Sequence, residues 1–192
     1  VYSKTSTPSA PIIWDKKNNQ GFCKLLIINS GNANAHTGKN GIKAIDKYVA
    51  VASKYFNCKK SQILVSSTGV IGEKLNIDKI INIFPKFSKS QPKNLLSASK
   101  AIMTTDTYPK NIVKKIKINS KIIKIFGIAK GSGMIFPNMG TMLSYIFIEA
   151  NLSKDVLKKM LHTNLDFSFN SISVDSDTST SDTLMLFSLS SQ

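Results

Sequence analysis

Short apolar runs of strand length alternate with stretches of helical periodicity along this chain, and that alternation restricts the fold more than any other feature. Leu25, Leu26, Ile27 and Ile28 read as a buried strand within residues 24–29, and Ile63, Leu64 and Val65 as a second. Between them Ile42, Ile45, Val49, Ala52 and Phe56 recur at helical spacing, which predicts an amphipathic helix over 42–56. Ile77, Ile80, Ile81 and Phe84 share another helical face, with Pro85 as its stop. Residues 88–92 read as a polar linker, and 95–103 as a helix that delivers Thr104 and Thr105. Residues 113–118 and 121–126 alternate around Asn119-Ser120 as a hairpin. A strand is predicted over 142–148, a helix over 152–161 capped by Asn151 or Ser153, and a further strand over 169–174. Pro11-Ile12-Ile13 falls in what reads as an early strand region. Strands interleaved with helices and a hairpin imply an α/β fold in a layered α+β arrangement.

Composition excludes several classes of function. A chain of 192 residues buries one sizeable core, in one or two domains. No apolar run approaches the roughly 18 residues of a membrane span, so no membrane partner is expected. Cys23 and Cys58 lack metal-ligand spacing and are too few for a disulfide framework, which points to a reducing, cytoplasmic compartment. The formal charge of +15 raises the question of nucleic acid, but all 26 basic residues are Lys and none is Arg. Arg is the usual bidentate reader of guanine, and these lysines are scattered rather than interleaved with aromatics. They read as solvated faces that attract anionic small molecules, with no nucleic-acid partner. His36 and His162 have no partner spacing and read as surface or packing residues. Asp175, Asp177 and Asp182 look like a carboxylate cluster. Counted from Asp175, however, the EF-hand's Gly and Glu positions hold Thr180 and Leu186, so that metal loop is rejected in favour of a polar turn supporting an active site. No metal or other cofactor is expected.

The stretch over 130–143 carries the chemistry. Lys130-Gly131-Ser132-Gly133 opens a Gly-rich, Pro-containing segment that ends in Gly140-Thr141, just before the apolar run over 142–148. A small residue before a Thr leaves the peptide bond between them open to attack. The Thr141 hydroxyl oxygen could bond to the Gly140 carbonyl carbon, the C–N bond would break, and the released nitrogen would take a proton. Water would then hydrolyse the ester, freeing the Gly140 carboxylate and a chain that starts at Thr141. Its α-amine, with an ordinary pKa of about 8, is partly neutral at pH 7 and can act as base for its own hydroxyl. One residue is then both nucleophile and base. Taken alone, Gly-Thr is better read as a tight loop before a buried strand.

Five blocks together resemble the self-cleaving glutamate N-acetyltransferase/ornithine acetyltransferase family of arginine biosynthesis. They are Asn29-Ser30-Gly31-Asn32-Ala33-Asn34-Ala35, Ser67-Thr68-Gly69-Val70-Ile71-Gly72, and Ala101-Ile102-Met103-Thr104-Thr105-Asp106-Thr107 with Pro109-Lys110. The fourth spans 127–143. The fifth is Val174-Asp175-Ser176-Asp177-Thr178-Ser179-Thr180 with Asp182-Thr183. They occur in the family's order across nearly the whole chain. His36, Gly140, Ser176 and Ser181 stand where the family often has Cys, Ala, Gly and Asn.

The resemblance implies stacked sheets flanked by helices, similar to N-terminal-nucleophile hydrolases. It implies a partial domain over 1–192, truncated at both ends, with 1–140 belonging to an α chain and 141–192 starting a β chain after self-cleavage between Gly140 and Thr141. It carries the oxyanion hole onto the Thr68 hydroxyl and the Gly69 N–H, here read as a turn after the second strand, and substrate binding onto Thr104, Lys130 and Thr141. A Lys ammonium suits a substrate α-carboxylate, which both N-acetylornithine and glutamate present. The implied reaction moves an acetyl group from N-acetylornithine to glutamate through a Thr141 acyl-enzyme, with acetyl-CoA a further donor in some members. The implied assembly is a heterotetramer of two α and two β chains. Two other classes stay open from the sequence. One is an N-terminal-nucleophile amidohydrolase or aminopeptidase, in which water replaces glutamate. The other is a non-enzymatic basic binding module.

Overall fold

The computed structural model describes residues 1–89, 94–133, 142–174 and 179–189. The chain divides into two compact units, one formed by Thr5–Lys93 and the other by Val1–Lys4 with Asn94–Gln192.

The Thr5–Lys93 unit is built on two parallel strands, β1 (Leu25–Asn32) and β2 (Ile63–Val70). Helix α1 (Ala10–Asn18) precedes β1, and helix α2 (Gly38–Tyr55) makes the crossover that parallel strands require. Ile45, Val49 and Ala52 of the predicted stripe of α2 are fully buried, Ile42 and Phe56 partly so, and with Tyr48 they pack against Trp14, Ile63, Val65, Leu75 and Phe84. β2 is buried through its first six residues, and side chains of α1 occupy its outer edge. Trp14 Nε1 donates to the Ile63 carbonyl at 3.2 Å, and the Val65 N–H donates to Asp15 Oδ1 at 2.9 Å. Two short helices follow, α3 (Ile77–Ile81), capped by Asn76, and α4 (Phe84–Lys89).

The other unit carries a four-stranded sheet in the order β3-β4-β5-β6, from β3 (Lys110–Ile118), β4 (Lys121–Lys130), β5 (Leu143–Ile148) and β6 (Thr183–Ser188). Helix α5 (Leu95–Ala101) leads into it. β3 and β4 form the expected antiparallel hairpin, with both Asn119 and Ser120 at positive φ as a tight two-residue turn demands. β4 pairs antiparallel with β5, and β5 parallel with β6. Helix α6 (Lys154–Asn164) lies in the β5–β6 crossover and is capped by Ser153, which accepts from the Val156 N–H at 3.4 Å. Tyr145, Leu143 and Leu184 are its most deeply buried apolar side chains. The layered α/β expectation therefore holds, with sheets flanked by helices.

Several local expectations fail for identifiable reasons. Residues 10–18 form a helix rather than a strand, because Pro11 sits in the first turn, where its missing N–H costs nothing. Pro85 does not simply stop a helix, since it lies in the first turn of α4. Residues 169–171 form a 3₁₀ turn, and Val174 makes only an isolated bridge. β1 and β2 run on into blocks whose Gly and Asn content reads as loop.

Candidate active site

Thr68 and Gly69 are the first correction to the site. They lie inside β2, not in a turn after it, with Thr68 opposite Ser30 and Gly69 opposite Gly31 of the parallel partner. Gly69 adopts φ +126°, and a Cβ placed there would stand 2.3 Å from the Gly31 carbonyl carbon and 2.6 Å from the Asn32 nitrogen. Only a glycine lets the two backbones pass this closely, so the Gly-rich pattern marks close strand approach, not a loop. Thr68 is buried, while Gly69 is exposed at the strand end. The block over 29–35 holds this end in place. Asn34 is buried at φ +46°, its N–H donates to Asn32 Oδ1, and its side-chain amide donates to the Gly41 carbonyl at 3.2 Å. Ala33 N–H donates to the Val70 carbonyl, and Gly72 N–H to that of Ala35.

Thr104 and Lys130 lie in the other unit, linked by a carboxylate that the sequence reading gave no role. Asp106 Oδ1 accepts the Gly131 N–H at 2.8 Å and the Lys110 ammonium at 2.7 Å, while Oδ2 accepts the Thr104 N–H at 3.3 Å. One side chain thus ties the bend after α5, the start of β3 and the end of β4. Burial pushes the Asp106 carboxyl up, but the Gly131 N–H, Lys110 and the Thr104 N–H together hold it below its ordinary value. Thr105 Oγ1 and Ser132 Oγ add a hydrogen bond of 2.8 Å across the same corner.

Lys130, the last residue of β4, is only 2% exposed and pairs in register with Leu143 of β5. Burial lowers its pKa, and the charges of Asp106 and Asp182 oppose that shift. This lysine differs from its solvated counterparts in being buried.

Gly140 and Thr141 lie outside the described residues, as do Asp175, Ser176 and Asp177. Met142, next to Thr141, is described and is fixed at both of its backbone polar groups. Its N–H donates to Asp182 Oδ1 at 2.7 Å, and its carbonyl accepts the Thr183 N–H at 2.9 Å. Asp182 is fully buried. Burial pushes its carboxyl up to about 8, against the pull of the Met142 N–H, the Ser179 hydroxyl and Lys130. In the sequence Asp182 stands in the fifth family block and in a carboxylate cluster read as a polar turn that supports an active site. Asp106 is the residue sequence reasoning missed, and both it and Asp182 act on backbone N–H groups that no side-chain motif reveals.

Other chemistries find less support. Both cysteines are free, and burial pushes the Cys23 thiol up to about 11, away from the reactive thiolate. His36 and His162 are exposed. Among the described residues no group of three or more metal-ligating side chains comes together, and no helix is long and apolar enough to cross a membrane. Two apolar grooves of about 220 and 420 Å³ lie against the sheet, and neither is lined by Thr104 or Lys130.

Comparison with known proteins converges on one family. The family model described as "ArgJ family" matches residues 1–192. The arginine biosynthesis bifunctional protein ArgJ of Bartonella henselae is 44% identical over 189 residues, covering 97% of this chain and 46% of that protein. The protein of the same name from Gluconobacter oxydans is also 44% identical, over 97% of this chain and 45% of its own length. The chain therefore spans somewhat under half the length of these curated relatives. The crystal structure of the arginine biosynthesis bifunctional protein ArgJ from Bacillus halodurans superposes with a TM-score of 0.63 at 36% identity, over 72% of this chain and 74% of that one. With a match from first residue to last and a shared fold at this level of identity, the chain belongs to the ArgJ family.

Proposed function

We propose that this chain carries the nucleophile and part of the substrate site of a self-cleaving acetyltransferase of arginine biosynthesis. The observation that carries the reading is the family match over the whole chain, with Gly140-Thr141 placed directly before a residue whose backbone is fixed on both sides. Thr141 attacks the Gly140 carbonyl, the acyl group shifts from nitrogen to oxygen, and water hydrolyses the ester, so the chain parts into 1–140 and a piece beginning at Thr141. The freed amine of Thr141 then takes the proton of its own hydroxyl, whose oxygen attacks the acetyl carbonyl of N-acetylornithine. Thr68 and Gly69 donate to the oxyanion of the tetrahedral intermediate. The C–N bond breaks, ornithine leaves with the proton, and the acetyl group stays as an ester on Thr141. The amine of glutamate attacks that ester, the C–O bond to Thr141 breaks, the Thr141 oxygen regains its proton from the attacking amine, and N-acetylglutamate leaves.

Thr104 and Lys130 hold the α-carboxylate that both substrates share. The buried position of Lys130 suits this role, because an ammonium shielded from water interacts more strongly with an incoming carboxylate. Acetyl-CoA as a further donor to glutamate, a cytoplasmic setting and an assembly of two α with two β chains belong to the same reading.

The test is mass spectrometry of the full-length product together with an acetyl-transfer assay. Two pieces split between Gly140 and Thr141 are expected, with transfer that requires glutamate. Thr141→Ala is expected to give one uncut, inactive chain. Hydrolysis of N-acetylornithine at full rate without glutamate would instead assign the amidohydrolase class.

A further inference from the structure

The bonds of Asp106 fall beside both residues of the proposed carboxylate site, Thr104 and Lys130. Its side chain has no exposed surface. Oδ1 accepts the Gly131 N–H at 2.8 Å, and Oδ2 accepts the Thr104 N–H at 3.3 Å. The Gly131 N–H lies in the peptide plane that carries the Cα and carbonyl of Lys130, and the Thr104 N–H in the plane that carries the Thr104 Cα. The plane on the other side of Lys130 belongs to the sheet, where Ala129 pairs with Lys110 and Ser144, and Lys130 with Leu143. With both planes held, φ and ψ of Lys130 are set, and the tetrahedral Cα fixes the direction in which its side chain leaves the backbone. A second bond, between Thr105 Oγ1 and Ser132 Oγ at 2.8 Å, joins the same two segments. Lys110 closes on Oδ1 at 2.7 Å, so the buried carboxylate has its own counter-ion.

We propose that Asp106 is a positioning residue for Lys130: by holding the Gly131 N–H on one oxygen and the Thr104 N–H on the other, it fixes where the lysine stem stands and so makes the site select ligands that carry an α-carboxylate. This inference rests on the reading of Lys130 as the partner of the substrate carboxylate. It adds a residue that touches neither substrate nor reacting atoms and acts through the backbone of one that does. Only an ionised carboxylate can accept on both oxygens, whereas Asn offers one acceptor and turns a donor towards the second N–H. Burial favours the neutral form of Lys130, and the Asp106 charge opposes it. The same group therefore sets the geometry of the cation and helps to keep it charged.

The experiment is a double-mutant cycle in the full-length protein, with Asp106→Asn, Lys130→Met and both together. KM and kcat are read for N-acetylornithine and for its decarboxylated analogue, in which hydrogen replaces the α-carboxylate. Asp106→Asn is expected to raise KM for N-acetylornithine about fivefold with kcat within about twofold, and to leave KM for the analogue within about twofold of wild type. In the Lys130→Met background the same replacement is expected to change neither KM by more than about twofold, because the group it positions is gone. General loss of packing predicts a different pattern: it lowers the active fraction, and so kcat, and treats both substrates alike. If Asp106→Asn fails to melt cooperatively, Asp106→Glu, which keeps the charge but displaces the oxygens by a methylene, takes its place under the same criteria. Wild-type KM in the folded Asp106 variant, beside a raised KM in Lys130→Met, overturns the positioning role and leaves the carboxylate site standing. A rise that persists in the Lys130→Met background also overturns it, since Asp106 would then act without Lys130. Unchanged KM in Lys130→Met removes the carboxylate reading itself, and the positioning role falls with it.

Discussion

The strand end around Thr68 and Gly69 and the corner around Asp106 and Lys130 are held together by opposite means. At the strand end the means are steric. Two parallel strands approach until glycine is the only residue that fits, and the polar groups are backbone amides and hydroxyls without charge. At the corner the means are electrostatic. A buried carboxylate gathers two N–H groups and an ammonium from three separate elements, next to a buried lysine. A steric device fails when volume is added, whereas an electrostatic one fails when charge is removed. The comparison can therefore be broken by substitutions of the matching kind.

Adding volume should give the largest effect. In Gly69→Ala the new methyl group meets backbone at 2.3 Å, and the residue must hold φ +126°. Strain and forced displacement together should cost about 3–5 kcal/mol, read as a lowered midpoint in chemical denaturation. Gly31→Ala is the internal control. Gly31 also has positive φ, but its Cβ would meet nothing within 4 Å, so only backbone strain of about 1–2 kcal/mol is expected. Equal costs at the two positions would show that φ alone matters and that close approach does not.

Thr68→Ala comes next and concerns activity rather than stability. Loss of one oxyanion donor should lower kcat by about 10²–10³ with KM nearly unchanged. A raised KM with unchanged kcat would move Thr68 from the transition state to ground-state binding and leave the strand end a purely structural device.

At the corner, Asp106→Asn removes charge while keeping shape. Hydrogen bonds to charged groups contribute about 1.5–3 kcal/mol, so a loss of about 2 kcal/mol is expected at pH 7. The sign of its pH dependence follows from the carboxyl lying below its ordinary value of 3.8. Above that value the folded and unfolded forms are both ionised, and the stabilisation is fully present. It is lost as the pH falls through the lower folded value, because the unfolded chain then binds the proton first. The gap between wild type and Asp106→Asn should be constant from neutral pH down to about 5 and close in stronger acid. A gap that widens on acidification would contradict the assigned network.

The two regions also differ in how far the sequence reveals them. The hairpin at Asn119-Ser120, α2 and the cores of β1 and β2 follow from periodicity and turn chemistry, which are local. Thr68 and Gly69 are visible as a motif, but their place inside a strand is not, because the reason lies in Gly31 more than thirty positions away. Asp106 binds backbone N–H groups that any residue type could supply, so nothing in its neighbours announces its role. Asp182 sits 40 positions from the N–H it holds. Lys130 looks like any other of the 26 basic residues until burial separates it. Family blocks locate such residues, but only tertiary structure shows what they touch.

The smallest effect expected is also the one that tests whether the corner serves function or only stability. Lys130→Met keeps most of the stem in its buried position and deletes the ammonium. Within the protein the loss is partly offset, because Lys110 still neutralises Asp106 at 2.7 Å. Asp182 loses a cation that favours its ionised form, so its carboxyl should rise further and stay neutral at pH 7, which limits the destabilisation. An incoming α-carboxylate has no such alternative if Lys130 is its partner. KM for both N-acetylornithine and glutamate should then rise by roughly 10-fold, about 1.4 kcal/mol of binding, with kcat within a few-fold of wild type. A rise for both substrates is the diagnostic outcome, since the carboxylate is what they have in common. If the variant melts lower but both KM values stay put, Lys130 is a structural counter-ion for Asp106. The corner would then be a brace like the strand end, and the substrate carboxylate would have to be held elsewhere.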